Sequence, residues 1–86
     1  MKKFIVNTAI LTGMMDPVAC AMGTPKMLEK QGIKNVKIQS CYCCGPEGTV
    51  VFIANAESKE VLLDALNKID LPVASIMEVE EVKQSY

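Results

Sequence analysis

The chain of 86 residues has no histidine, no arginine and no tryptophan, and only 5% of it is aromatic. Without histidine there is no imidazole to serve as acid, base or metal ligand near neutral pH. Without arginine there is no planar fork to clamp a carboxylate or phosphate in bidentate fashion. Nine lysines face ten acidic residues for a net charge of -1, so no basic footprint for nucleic acid is present. Long hydrophobic runs are also missing. The stretch FIVNTAILTGMM that follows Met1-Lys2-Lys3 has the look of a leader peptide, but it is too short to span a bilayer. Cutting near Ala19 or Ala21 would discard the first strand of an already minimal fold. The expectation is therefore one domain, residues 1–86, in the cytoplasm, with no membrane insertion.

What the chain does have is sulfur: four cysteines and six methionines. In a reducing compartment such cysteines are thiols, metal ligands or redox groups more often than structural staples. With no histidine to complete a catalytic pair, Cys–His enzyme chemistry is not expected.

Hydrophobic alternation over Lys2–Ala9 predicts a first strand, with Phe4, Val6 and Thr8 on one face. Asp16-Pro17 predicts a helix start, the carboxylate capping and the proline at the first helical position. Gly23-Thr24-Pro25 interrupts the pattern, so this helix either kinks or splits in two, and Gly32 stops it. A second strand follows over Asn35–Cys43, with Val36, Ile38 and Ser40 on the face opposite Lys37, Gln39 and Cys41. Gly45-Pro46-Glu47-Gly48 reads as a tight turn, and Thr49–Ala54 as a third strand paired with the second. Ser58 caps a second helix whose apolar face is Val61, Leu62, Ala65, Leu66 and Ile69. Leu71-Pro72 ends it, and Val73–Val82 supplies a last strand. The order β-α-β-β-α-β predicts the α+β ferredoxin-like plait: a four-stranded antiparallel sheet, order 4-1-3-2, with two helices on one face.

Chain direction then places the chemistry. If the first strand runs up, the loop after it, the hairpin between strands two and three, and the Asp70-Leu71-Pro72 loop all lie at one end. All four cysteines, Cys20, Cys41, Cys43 and Cys44, fall near that end. On an extended strand Cys41 and Cys43 share a face about 6.6 Å apart, which suits two ligands of one metal and strains a disulfide. Four soft thiolates without imidazole suit Zn(II), Cu(I) or an iron–sulfur cluster. The bland alternative is that cysteine packs as a small hydrophobe, which weighs most for Cys20 taken alone. Met14 and Met15 in the preceding loop would add soft thioether ligands, whereas Met22 and Met27 read as core fillers. Asp16, being negative, opposes thiolate formation at Cys20. Lys26, Lys30, Lys34 and Lys37 read as a solvated face, with docking of an acidic partner as the other reading. Glu78, Glu80 and Glu81 guard an exposed strand edge.

From Lys2 to Val82 the chain resembles the heavy-metal-associated domain family of copper chaperones and metal-transporting ATPases. Gly13-Met14-Met15 reproduces the opening of the family's Gly-Met-x-Cys-x-x-Cys loop, and Cys20 falls near its second cysteine. GTVVFIANAESKEVLLDALNKIDLPVAS is similar to the family's third strand, second helix and last turn. Asp16 stands where the first cysteine belongs, and Cys20 lies one residue further along, so the two-cysteine site is not intact. The resemblance implies the same plait, and a soft-metal-binding or trafficking role with a metalloprotein or transporter as partner. Two rivals carry different expectations. A thiol redox sensor would form a reversible disulfide. A small-molecule-binding module of the ACT kind would work as a homodimer through its sheet.

Overall fold

The computed structural model describes residues 1–11 and 16–82. The elements are β1 (Lys2–Thr8), α1 (Pro17–Lys30), β2 (Val36–Cys44), β3 (Thr49–Ala56), α2 (Lys59–Lys68) and β4 (Val73–Val79), with a short 3-10 turn at Gly45–Glu47. The strands form one antiparallel sheet in the order β2-β3-β1-β4. This is the α+β ferredoxin-like plait, with the expected strand order.

One face of the sheet is buried. Phe4, Val6 and Thr8 of β1 lie inward as the alternation indicates, together with Val36 of β2. On β3 the buried set is Val50, Phe52, Ala54 and Ala56, leaving Val51 and Ile53 on the open face. Both helices join the same core, α1 through Ala21 and Leu28 and α2 through Leu62, Ala65 and Leu66. The Ser58 hydroxyl accepts from the Val61 N–H at 3.2 Å and caps α2. Asp16 occupies the corresponding position of α1, but its carboxylate makes no cap hydrogen bond, contrary to expectation.

Both helices stop with the same device. Gly32, at φ 72°, follows α1, and its N–H and that of Ile33 return to the Glu29 and Leu28 carbonyls. Asp70 does the same after α2, in the left-handed region at φ 54°, where a glycine would be unstrained.

The three loops expected at one end are tied there by backbone hydrogen bonds. The Ala9 N–H donates to the Pro72 carbonyl at 2.8 Å, and the Leu11 N–H to the Gly48 carbonyl at 2.7 Å. The end that carries the cysteines is thus cross-braced through β1, the hairpin and the α2–β4 turn.

Candidate metal centre

The cysteines are placed by two irregularities. The first is in β2. Val36, Lys37 and Ile38 pair with Ala56, Asn55 and Ala54, but Ser40 pairs with Ile53, so Gln39 is one residue too many. Such a β-bulge resets the in–out alternation. Beyond it Cys41 sits opposite buried Phe52 and Cys43 opposite buried Val50, which turns both toward α1. The uninterrupted pattern placed Cys41 on the face away from Val36 and Ile38; the bulge reverses that. Tyr42 and Cys44, opposite Val51 and Thr49, fall on the open face.

The second irregularity is in α1, which runs unbroken from Pro17 to Lys30 with Pro25 inside it. The helix neither ends nor restarts at Gly23-Thr24-Pro25. Proline has no N–H, so the Ala21 carbonyl four residues back lacks its helical donor. The Cys41 thiol supplies one, donating to the Ala21 oxygen at 3.7 Å. One helical turn earlier the Cys43 thiol donates to the Pro17 oxygen at 3.4 Å. The match is geometric, since two residues along a strand and four along a helix each advance about 6 Å.

Cys20 lies on the same stretch of α1. It is half-buried against the core and forms part of a groove of about 440 Å³. Ala19, Gly23 and Met27 of α1 line the groove together with Ile69 and Leu71, and the exposed carboxylates of Asp16 and Asp70 stand at its rim. Burial pushes the Cys20 thiol above the ordinary thiol range, and the nearby Cys43 sulfur, negative when ionised, adds to the rise. The Thr24 hydroxyl acts the other way, but its proton goes to the Cys20 carbonyl at 2.7 Å, so burial prevails. Cys20 is therefore not a strongly activated nucleophile, as the sequence suggested, with burial rather than Asp16 as the leading cause.

The structure thus turns Cys41 and Cys43 from the end of β2 toward α1. It sets Cys20 on that stretch of α1, in the groove facing Ile69 and Leu71 and near enough for the charge of Cys43 to act on it. Cys44 falls on the opposite face. All four are free thiols. Among the described residues no three of cysteine, aspartate and glutamate are grouped closely enough to hold a metal ion as they stand. Met14 and Met15 lie outside the described residues. The partnership of Pro25 with Cys41 was missed from the sequence, although a proline four residues after Ala21 was its visible signal. Lys26, Lys30, Lys34 and Lys37 are all exposed. No helix among the described residues is long and apolar enough to cross a membrane.

No protein-family model matches the chain, and no curated protein matches it. Among solved structures it is similar to the NMR structure of a heavy metal binding protein from Thermotoga maritima. The identity is 27%, the TM-score 0.48, and the match covers 90% of this chain and 98% of that one. At that TM-score the similarity assigns no family.

Proposed function

We propose that the chain binds a soft metal ion, Cu(I) in preference to Zn(II), through the thiolates of Cys20 and Cys43, with Cys41 beside them. The observation that carries this reading is the bulge at Gln39, which turns two strand thiols onto the helix turn that bears the third. Cu(I) is satisfied by two or three soft ligands. Structural Zn(II) takes four, and an iron–sulfur cluster is held by four cysteines. With Cys44 on the other face, the inward thiols number three. Cys41 has a structural duty at the Ala21 carbonyl, so Cys20 and Cys43 are the principal pair. Cys43 is exposed, which leaves one ligand open to exchange with a partner metalloprotein or transporter, as a carrier requires. The carboxylates of Asp16 and Asp70 favour a cation at this end.

The test is titration of the anaerobic, reduced protein with Cu(I) against a chromophoric chelator. One equivalent should bind. Cys20→Ser and Cys43→Ser should each lower affinity by more than about 100-fold, beyond the 10–100-fold typical for loss of an outer-shell partner. Cys44→Ser should bind like the parent. Parent-like affinity in the Cys20→Ser/Cys43→Ser protein would refute the assignment.

A further inference from the structure

We infer that Cys20 and Cys43 form a reversible disulfide linking α1 to β2, made by exchange with a low-molecular-weight disulfide. The Cys43 sulfur already lies 3.4 Å from the Pro17 carbonyl oxygen. A side-chain γ atom three residues further along a helix reaches back to that same carbonyl. Cys20 stands three residues after Pro17, so one rotation about its χ1 brings its sulfur to the oxygen that Cys43 now contacts. α1 and β2 pack directly on each other here, through the contacts of the Cys41 and Cys43 sulfurs with the α1 carbonyls.

The competing pairs are worse placed. Cys41 and Cys43, two apart on one strand, are separated by about 6.6 Å, near the limit for a disulfide, and their Cβ vectors run parallel. Cys44 is on the other side of the sheet. Cys41 is engaged with the Ala21 carbonyl.

The chemistry is ordinary exchange. Cys43, the exposed thiol, attacks as its thiolate one sulfur of the incoming disulfide R–S–S–R. The R–S–S–R bond breaks, a Cys43–S–S–R bond forms, and the first thiolate RS⁻ leaves and takes a proton from solvent. Cys20, also as thiolate, then attacks the Cys43 sulfur, forms the internal bond and expels the second RS⁻. Two protein thiols are oxidised by two electrons, and one disulfide is reduced to two thiols. Both sulfurs are consumed, so the oxidised protein has lost its principal ligand pair. That last consequence rests on the metal-binding reading above; the disulfide itself does not.

The experiment treats the reduced, metal-free full chain with oxidised glutathione, quenches with acid, and reads intact mass and disulfide-linked peptides. The expected product has lost two hydrogens and yields a peptide joining Cys20 to Cys43. Cys20→Ser should instead accumulate glutathione on Cys43, and Cys44→Ser should behave like the parent. A cross-link through Cys41 or Cys44, or no trapped glutathione in Cys20→Ser, overturns the proposal. Cu(I) titration of the reduced protein is run in parallel. Metal binding without the cross-link defeats this inference alone, and the cross-link without metal binding defeats the metal reading alone.

Discussion

Replacing Pro25 with alanine should make the protein more stable, and by an amount that depends on Cys41. A proline inside a helix costs about 3 kcal/mol against alanine, through the missing N–H and the clash with the carbonyl four residues back. Here Pro25 is exposed, so its replacement removes no core packing. Part of the cost is already offset by the Cys41 thiol on the Ala21 carbonyl, at 3.7 Å a weak bond worth about 0.5 kcal/mol. Proline also restricts the unfolded chain, which returns roughly 0.4–1 kcal/mol to the parent. The net gain expected for Pro25→Ala is about 2 kcal/mol, or roughly 8–16 °C in melting temperature for a domain of this size. Urea unfolding followed by circular dichroism, with reductant present, measures it. The same assay on Cys41→Ala in both backgrounds completes a cycle. In the parent, truncating Cys41 removes packing and also orphans a helix carbonyl; in the Pro25→Ala protein that carbonyl has a helical N–H of its own. Cys41→Ala should therefore cost about 0.5–1 kcal/mol less in the Pro25→Ala background, at or above the scatter of such cycles. An equal cost in both backgrounds, or no gain from Pro25→Ala, would refute the account of how α1 runs through its proline.

Three further outcomes follow from the structure. Leu66, 1% exposed between helix and sheet, should cost about 2–5 kcal/mol when replaced by alanine, read as a fall in unfolding midpoint at unchanged slope. Asp70→Gly should add about 0.5–1 kcal/mol, because φ 54° carries a penalty that glycine escapes; unchanged or lower stability would show the carboxylate has an unseen structural partner. Burial raises the Cys20 pKa, so over the interval between unfolded and folded values the native chain keeps a proton that the unfolded chain has lost. The resulting stability is complete below the unfolded value of about 8.5 and drains as pH climbs through the folded value. Stability measured against pH should therefore fall more steeply in the parent than in Cys20→Ala, and parallel curves would contradict the burial of that thiol.

The element order and strand order were legible because hydrophobic alternation and chain direction are properties of the sequence itself. Phe4, Val6 and Thr8 declare an inward face, and the Ser58 cap declares where α2 begins. The same directional logic put the hairpin, the end of β1 and the Asp70-Leu71-Pro72 turn at one end. The facing of Cys41 and Cys43 was not legible. Gln39 and Ser40 are ordinary residues for a strand, with no glycine to mark the bulge, and a single extra residue inverts everything after it. What forces it is tertiary: Val36 must reach the core at one end of β2, while the hairpin fixes the register of Cys44 with Thr49 at the other. The unbroken α1 was hidden for a related reason. Local preference says that Thr24-Pro25 ends a helix, but packing of Ala21 and Leu28 on either side holds both turns against the sheet. A thiol from another element then attends to the carbonyl that the proline leaves bare.

On the metal-binding reading proposed above, that arrangement would link ligation to the proton. In the metal-free protein Cys41 and Cys43 are held toward α1 by S–H···O=C contacts, which exist only while the sulfur carries hydrogen. Remove the proton, and a negative sulfur faces the negative end of a carbonyl dipole, so attraction becomes repulsion. On that reading the Cys43 thiolate would then leave Pro17 and be free to share a cation with Cys20. Ligation by Cys20 and Cys43 would replace a proton-mediated tie between β2 and α1 with a metal-mediated tie between the same elements. The fold would not need to open for a metal to enter, because the connection would be exchanged rather than lost. The reverse step is equally available. Were a competing thiolate to draw the metal from exposed Cys43, a proton from solvent would restore the contact with the Pro17 carbonyl. Release would then be assisted by a backbone acceptor already in place. A carrier needs affinity together with a low-cost empty state, and on the proposed reading the carbonyls of Pro17 and Ala21 would supply that empty state.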